Sequence, residues 1–409
     1  MIRPLAFIAV VAALAAACAP LPRPAAAPVA AETRAPVTIL ISIDGFRADY
    51  LDRGVTPNLA RLAATGVRAA MRPAFPSLTF PNHTTLVTGL SPDRNGIVGN
   101  VMVDARRPGV RFTLSDTKQS LDPFWWSESE PLWVTAEKAG VRSATMFWPG
   151  SEVAHAGVRA ADWQHFDEHV DAAQRVRAVI DWLRRPAATR PRFVTLYFDT
   201  VDHAGHEFGP EAPETTAAAA GADAAVGDLM RGLADLGQPA NIVVVADHGM
   251  AATSKDRVIR LDALVAATDA EVVGEGPYAG LAPAPGRTAV FEVALLHPHS
   301  HMTCWRKADI PKRLDYGANP RVPPLLCLAD TGWSIQTRDR DVPKGSHGYD
   351  NAAPEMRAVF VASGPGIAAR GVLADFDNVA VYPLLARLIG VTPLANESGG
   401  AMADAVTKR

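Results

Sequence analysis

The sequence lacks an excess of either charge. Among its 409 residues, 40 Lys and Arg stand against 43 Asp and Glu, which gives a formal net charge of -3. Neither a scaffold for nucleic acid nor an acidic, solvating tail is therefore expected. Hydrophobic residues make up 48% and charged residues 20%, so a large core can form and wholesale disorder is excluded. The length suits one large domain or two average ones.

The first apolar run is too short for a membrane span. It extends from Leu5 to Ala17 after Arg3, whereas a spanning helix needs roughly 20 residues. Such a run is typical of a signal peptide, which we place at residues 1–18. The small residues before Cys18 resemble a bacterial lipobox, in which the cysteine becomes a lipid anchor; cleavage at a nearby Ala-x-Ala site is the alternative. Both readings predict an exported protein, either periplasmic or a membrane-anchored lipoprotein.

Cysteine is scarce as well, with Cys18, Cys304 and Cys327 as the three in the chain. If Cys18 is lipidated or removed, Cys304 and Cys327 can form one disulfide in an oxidising compartment, the alternative being two buried thiols. The Ala- and Pro-rich residues 19–36 predict a tether, and residues 37–398 predict a single domain.

An elaboration is expected at about residues 255–341, where the rhythm of strands and helices is interrupted. We expect it to be irregular or antiparallel and to be held by the disulfide. His297, His299 and His301 alternate there as on one face of a strand. We interpret them as surface histidines rather than as a third metal site.

The rest of the chain alternates between apolar strands and helical patterns. Short, β-branched runs predict buried strands at Thr38–Ile43, Ala144–Trp148, Phe193–Phe198, Ile242–Ala246 and Ala358–Ala362. Helical patterns separate most of them, at Pro57–Ala64, Pro131–Ala139, Asp171–Leu183 and about 215–236. This alternation predicts an α/β fold with a mainly parallel sheet that helices cover on both faces.

Acidic residues follow three of these strands. Asp44 comes directly after the first, Asp202 shortly after the third, and Asp247 with His248 after the fourth. The carboxyl ends of parallel strands are where such sheets place their chemistry. One aspartate alone is more often a cap or turn residue. Three such ends with attached histidines favour a shared site.

Two further histidines extend this set. Asp202 and His206 are four residues apart, so on a helical turn they share a face. His347 lies between two glycines, on backbone that can approach a site closely. Mixed imidazole and carboxylate ligands favour zinc over magnesium or calcium. The six ligands exceed the need of one zinc ion and predict two, as in sites for displacement at phosphorus.

A candidate nucleophile lies in the segment from Ser77 to His83. Pro81 suits the first turn of a helix, so Thr79 lies at or just before the helix start. There the free N–H groups and the helix dipole would favour an alkoxide and a phosphoryl oxygen. Without the metal ligands, Thr79 would be interpreted only as an N-cap.

This segment resembles the nucleophile motif of the nucleotide pyrophosphatase/phosphodiesterases, in the alkaline phosphatase superfamily, and most closely their bacterial members. The resemblance covers about residues 37–392. Further segments occur in the family's order: Ile41–Arg47, Gly96–Asn100, Trp148–Glu152, Asp202 with His206, Asp247–Met250 and Gly345–Asp350. The resemblance implies an alkaline-phosphatase-like three-layer sandwich and makes residues 37–398 a catalytic domain.

The resemblance also implies a role for each matching residue. One zinc ion would be held by Asp44, Thr79, Asp247 and His248. The other would be held by Asp202, His206 and His347. Thr79 would be the nucleophile that forms a covalent intermediate, and Asn100 would donate to a phosphoryl oxygen beside a backbone N–H near Phe80.

Substrate preference is less determined by the sequence. The residue after Thr79 is Phe80, and an apolar wall accepts a second ester substituent better than the extra charge of a monoester. We therefore expect diesters or pyrophosphates, most simply of nucleotides, with Phe80 and Phe166 as candidates to stack on a base. The alternatives are choline-type diesters, or a phosphomonoesterase or phosphonate hydrolase on the same scaffold. A metal-binding surface lipoprotein without turnover is disfavoured, because it would need neither Thr79 nor Asn100.

Overall fold

The computed structural model describes residues 33–407, apart from the side chain at position 267. From Ala35 onward, the described chain forms one compact unit. The predicted signal peptide, Cys18 and nearly all of the predicted tether lie outside the described residues.

The strands and helices alternate along most of the described chain. The strands are β1 Val37–Ile43, β2 Val67–Arg72, β3 Val101–Val103, β4 Arg111–Thr113, β5 Ser143–Met146, β6 Asp162–Trp163, β7 Phe193–Phe198, β8 Ala240–Val245, β9 Ala251–Ala252, β10 Val258–Arg260, β11 Ala270–Val273, β12 Tyr278–Pro283, β13 Met302–Arg306, β14 Leu325–Ala329, β15 Ser334–Gln336, β16 Gly345–Ser346, β17 Ala358–Ser363, β18 Gly371–Val372 and β19 Phe376–Asp377. The α-helices are α1 Pro57–Thr65, α2 Thr79–Thr88, α3 Pro92–Asn95, α4 Thr117–Ser120, α5 Leu132–Lys138, α6 Ala172–Arg184, α7 Thr200–Phe208, α8 Pro213–Asp235, α9 Thr288–Leu295, α10 Val381–Ile389 and α11 Ala401–Val406.

Within the described residues, nine strands form one large sheet. Its order is β18-β2-β17-β8-β1-β7-β5-β6, with β19 also paired to β2. The central strands β8, β1, β7 and β5 are parallel to one another, whereas β17 is antiparallel to both β2 and β8. The prediction of a mainly parallel sheet is confirmed.

Helices cover both faces of this sheet. All seven residues of β1 are buried, as a central strand with two covered faces requires. One layer contains α1, α6 and α8, and α8 packs against both α1 and α6. The other contains α2, α5 and α10. The result is the three-layer α/β sandwich of the alkaline-phosphatase type.

A smaller antiparallel sheet lies in the segment where an elaboration is predicted. Its strand order is β11-β12-β14-β13. Cys304 and Cys327 are directly opposite each other on β13 and β14, and a disulfide joins them. Their side chains lie in an apolar cluster with Phe291 and Leu295 of α9.

The expectation of a strand through the three neighbouring histidines is wrong. His297, His299 and His301 lie in the connection between α9 and β13, and His301 has a φ of 63°, outside the extended region. The turn that reverses the chain into β13 interrupts any alternation. The His301 ring stacks on Trp333, with the ring centres 3.8 Å apart.

No helix in the described part of the chain combines the length and the apolar character needed to cross a membrane.

Candidate active site

Three adjacent strands deliver the predicted ligands to one edge of the large sheet. The strand order β8-β1-β7 places the ends of these strands side by side. Asp44 follows β1, Asp247 and His248 follow β8, and α7 begins at Thr200, two residues after β7 ends. Because the three strands are parallel, their carboxyl ends meet at this edge.

Two glycines allow close packing of the backbone at this crowded edge. Gly45 has a φ of +68°, and a Cβ there would lie 2.8 Å from the Cα of Asp202. At Gly249, a Cβ would lie 2.1 Å from the carbonyl oxygen of Glu355. Gly249 is therefore needed because another backbone segment approaches it closely.

Asp202, His206 and His347 form one group of side chains. Asp202 and His206 lie one turn apart on α7, with 3.4 Å between Asp202 Oδ2 and His206 Nε2. His347 Nε2 lies 3.2 Å from His206 Nε2 and 3.5 Å from Asp202 Oδ1. The antiparallel pair β16 and β9 brings His347 to this position, since β9 follows His248 closely in the chain.

Asp44, Asp247 and His248 form the second group, together with Thr79. His248 Nε2 lies 2.9 Å from Asp247 Oδ2, 3.4 Å from Asp44 Oδ1 and 3.3 Å from Thr79 Oγ1. The rings of His248 and His347 stack with their centres 3.5 Å apart, so the two groups are adjacent.

The three histidines all turn Nε2 toward the site and Nδ1 toward a backbone carbonyl. The Nδ1 atoms of His206, His248 and His347 lie 2.8 to 3.0 Å from the backbone carbonyls of Gly345, Gly249 and Ser77. A carbonyl only accepts, so each Nδ1 must carry the hydrogen, and each Nε2 then offers a lone pair. Burial, and then the neighbouring rings of His248 and His206, lowers the pKa of His347 well below its ordinary value.

The three carboxylates leave oxygen atoms without hydrogen bonds. Asp44 Oδ1, Asp202 Oδ1 and Asp247 Oδ2 are buried and accept none from the part of the chain that the structure describes. Burial, followed by the charges of Asp247 and Asp202, raises the pKa of Asp44 well above its ordinary value. Such a cluster is costly unless cations balance its charge.

This donor set fits the predicted zinc ions. Three imidazole nitrogens and three unsatisfied carboxylate oxygens face a common space, and carbonyl groups hold the outer nitrogens of the imidazoles. Nitrogen and oxygen donors of this kind, oriented by hydrogen bonds behind them, are typical of zinc centres. The groups that could hold an ion include Asp202 with His248 and His347, and Asp44 with Asp247 and His83.

Thr79 is the first residue of helix α2. No side chain caps this helix, since Leu78 is at the capping position. Thr79 Oγ1 is therefore not used as a cap and faces His248 instead. The segment is fixed by buried Asn82, whose Nδ2 donates to the carbonyls of Pro76 and Leu78. The arrangement places a hydroxyl at the positive end of a helix beside the carboxylates.

Asn100 lies next to the same helix start. The Phe80 N–H donates to Asn100 Oδ1 at 3.0 Å, which leaves Asn100 Nδ2 as the donor available to a ligand. The sequence predicts that a backbone N–H near Phe80 acts beside Asn100 on a phosphoryl oxygen. In the structure the Phe80 N–H is already bound to Asn100, so a ligand would compete for it.

The two aromatic candidates lie in different surroundings. Phe80 is half-buried, with its ring centre 5.9 Å from those of Phe112 and Trp126. Phe166 is 48% exposed, and its ring lies 6.0 Å from that of Tyr197, the residue that donates to Asp44. Phe166 is thus the more exposed of the two candidates, and its neighbour Tyr197 links it to Asp44.

Three tryptophans from neighbouring segments of the sequence are buried rather than open to a ligand. Trp125, Trp126 and Trp148 are at most 4% exposed. Trp148 instead donates its indole N–H to the carbonyl of His83.

Sequence reasoning missed two residues behind the ligands. The Tyr197 hydroxyl donates to Asp44 Oδ2 at 2.6 Å, and burial and the Asp44 charge raise its pKa well above its ordinary value, so it stays a donor. His83 lies between Ser42, Thr79 and Asp247. In the sequence, Tyr197 lies within an apolar strand, and His83 lies in the segment from Ser77 to His83, whose pattern indicates no separate role for it.

The α/β fold and the carboxylates and imidazoles clustered at its sheet edge define a hydrolase of the alkaline phosphatase superfamily, in a family that is metal-dependent. Residues 38–350 match the family described as type I phosphodiesterase / nucleotide pyrophosphatase. The chain belongs to this family, and it is a phosphoric diester hydrolase.

Known relatives cover most of the chain. It is 37% identical over 380 residues to an uncharacterised pyrophosphatase/phosphodiesterase of Schizosaccharomyces pombe, spanning 88% of this chain and 78% of the relative. It is 36% identical over 365 residues to a bis(5'-adenosyl)-triphosphatase of Xenopus laevis, spanning 88% of this chain and 79% of the relative. Murine ectonucleotide pyrophosphatase/phosphodiesterase 5, in an inactive threonine-to-alanine form with AMP, superposes with a TM-score of 0.87 at 31% identity, covering 91% of this chain and 100% of the other.

Proposed function

We propose that the protein hydrolyses phosphodiester or pyrophosphate bonds of nucleotides, releases nucleoside 5'-monophosphates, and uses two zinc ions and a covalent intermediate on Thr79. The observation that carries the proposal is the position of Thr79 Oγ1, 3.3 Å from His248 Nε2 at a helix start that no side chain caps. A hydroxyl placed there is a nucleophile rather than a cap.

Two groups of side chains would hold the metal. Asp44, Thr79, Asp247 and His248 would bind one zinc ion, and Asp202, His206 and His347 would bind the other. When bound, zinc would lower the pKa of the Thr79 hydroxyl and balance charge on the reacting phosphoryl group.

The chain's own residues then account for the two chemical steps. Thr79 Oγ1 loses its proton and forms a bond to phosphorus, while the bond from phosphorus to the leaving oxygen breaks and that oxygen takes up a proton. Water then attacks phosphorus, its oxygen stays on the released monophosphate, and Thr79 Oγ1 regains a proton. Asn100 Nδ2 and the N-terminus of α2 offer donors and positive potential to the equatorial oxygens in both steps.

Nucleotides are the proposed substrates for two reasons. The Xenopus relative is named for a dinucleoside substrate, and the murine relative was solved with AMP. In this chain, Phe166 is 48% exposed, and its ring lies 6.0 Å from that of Tyr197, which donates to Asp44. A base stacked on Phe166 would leave its phosphate near the carboxylate edge.

A substrate panel tests this proposal. Purified, zinc-loaded protein is assayed with a p-nitrophenyl nucleoside diester, p-nitrophenyl phosphate, a phosphonate ester and a choline diester. We expect the nucleoside diester to have the highest kcat/KM. A preference for the choline diester would replace the nucleotide assignment. A preference for the monoester or the phosphonate would overturn the diester assignment.

Export remains part of the proposal. Cleavage at or near Cys18 would release the protein to the periplasm, and lipidation of Cys18 would anchor it to a membrane. Mass spectrometry of the mature N-terminus distinguishes these outcomes.

A further inference from the structure

His83 occupies a fully buried position beneath the candidate nucleophile. It lies on α2, one helical turn after Thr79, and its side chain is 0% exposed. Its ring meets the edges of Trp148 and Tyr197, with ring centres 4.9 and 5.2 Å away. The Trp148 indole also donates to the backbone carbonyl of His83. The ring is therefore held on several sides and has little freedom to rotate.

The hydrogen bonds of His83 determine which nitrogen carries the hydrogen. Nδ1 lies 2.9 Å from the carbonyl oxygen of Thr79, and Nε2 lies 2.8 Å from Ser42 Oγ. Because a carbonyl oxygen can only accept, Nδ1 is the donor. Nε2 then accepts from the Ser42 hydroxyl, which is buried within β1.

A carboxylate oxygen also lies close to this Nδ1. Asp247 Oδ2 is 3.4 Å from His83 Nδ1, and this buried oxygen accepts no hydrogen bond from the described residues. One N–H thus lies between the backbone of Thr79 and a carboxylate at the candidate metal site. Groups of this kind behind a ligand orient it, and their loss typically costs about 10- to 100-fold in metal affinity or activity.

We propose that His83 is a positioning residue: its Nδ1–H fixes Thr79 relative to Asp247, and Ser42 fixes the His83 ring. The inference rests on the proposed roles of Thr79 and of zinc. His83 is near enough to Asp44 and Asp247 to be considered as a ligand itself. Both of its nitrogens are engaged, however, and ligation through Nδ1 would remove the hydrogen that the Thr79 carbonyl accepts.

Two amides of different length provide the test. In His83→Asn, the amide nitrogen can take the place of Nδ1. In His83→Gln, it reaches toward the place of Nε2 and Ser42. We expect His83→Asn to keep kcat within about threefold of wild type, whereas His83→Gln loses about tenfold or more in kcat with little change in KM. Thr88→Ala, at the far end of the same helix, is the control and should keep full activity.

Zinc affinity, measured by competition with a chromophoric chelator, gives a reading independent of turnover. We expect about tenfold weaker binding of one ion in His83→Gln and near-normal affinity in His83→Asn. Equal losses in both variants, or unchanged kcat and affinity in both, would overturn the proposal. A missing zinc ion in His83→Asn would make His83 a ligand and would also overturn it.

If circular dichroism shows that either His83 variant is unfolded, Ser42→Ala keeps the proposal testable. It removes the partner of Nε2 without altering α2. We expect kcat to fall by about threefold, and an unchanged kcat would count against the proposal. Because zinc binding is read without substrate, failure of the nucleotide assignment would not be mistaken for failure of this inference.

Discussion

Thr79 differs from an ordinary threonine at a helix start because its hydroxyl is not used as a cap. Its Oγ1 faces His248 at 3.3 Å, while Asn82 and His83 fix the backbone on either side. In the proposed mechanism, the chemistry depends on this one oxygen atom, and the groups that hold it do not react. Substitutions at Thr79 therefore distinguish a role as nucleophile from a purely structural role.

Removal of this oxygen should abolish turnover without removing the fold. Thr79→Ala leaves the carboxylate and imidazole side chains in place, so metal still binds, more weakly where Thr79 completes the site. We expect activity to fall by several orders of magnitude, because a covalent route needs its nucleophile. Thr79→Ser should keep part of the activity, since its hydroxyl reaches the same place with a freer χ1. Near-normal turnover in Thr79→Ala, with Thr88→Ala as control, would make Thr79 a structural residue.

At the scale of elements, the sequence predicts which residues follow the strands better than it predicts the side-chain contacts that hold those residues in place. β-branched runs predicted the buried strands, and the parallel order brings Asp44, Asp247 and the start of α7 together. The partners of His83 could not be predicted, because Ser42 and Asp247 lie far from it in the chain. Phe147 ends the second predicted strand early, since its φ of 59° is outside the extended region.

A buried ion pair joins the loop after β3 to the segment between β13 and β14. Arg321 is 0% exposed in its side chain; its Nε lies 2.9 Å from Asp104 Oδ2, and its other nitrogens donate to the carbonyls of Gly96, Phe124 and Trp125. Asp104 follows Asn100 by four residues, so this pair also supports the loop that carries Asn100.

Loss of Asp104 should therefore destabilise the protein in a pH-dependent way. Arg106 first, and also Arg321, holds the pKa of Asp104 well below its ordinary value. A depressed pKa adds stability above about pH 4, and this stability is lost as the pH falls toward the folded-state pKa. We expect Asp104→Asn to lower the free energy of unfolding by about 3 kcal/mol at pH 7 and by less at pH 3. Urea titrations check this, with exposed Asp339→Asn as the control; equal stability of Asp104→Asn and wild type at pH 7 would refute it.

Besides the ion pair of Arg321 with Asp104, a disulfide also joins distant segments of the chain. The cysteines are 23 residues apart in sequence, and closing a loop of that size stabilises a fold by about 3 kcal/mol in the chain-entropy model. We expect peptide mapping under non-reducing conditions to recover Cys304 linked to Cys327 from exported protein. Recovery of both as free thiols would contradict this, and the double Cys→Ser variant should then be as stable as wild type.

At the scale of the whole molecule, the fold brings together predicted ligands that follow three strands or lie on two helices. The α/β fold and the family could be predicted from sequence because the motifs lie at strand ends in a fixed order. The number and identity of the ions depend on side-chain geometry, which spacing alone does not determine. The site has three unsatisfied carboxylate oxygens and three inward imidazole nitrogens.

Metal content should follow from this donor set. We expect about two zinc ions per chain, loss of activity on chelation, and recovery when zinc is returned. Elemental analysis of fully active protein checks the number. One ion or none in fully active protein would be incompatible with two metal groups.

The stereochemical course at phosphorus tests the central claim most directly. Each in-line displacement inverts phosphorus, so attack by Thr79 followed by attack by water gives net retention. We predict that a chiral phosphorothioate diester, hydrolysed in isotopically labelled water, yields a product of retained configuration. Net inversion would mean that water attacks the substrate directly, and Thr79 would then be no more than a ligand or part of the helix start.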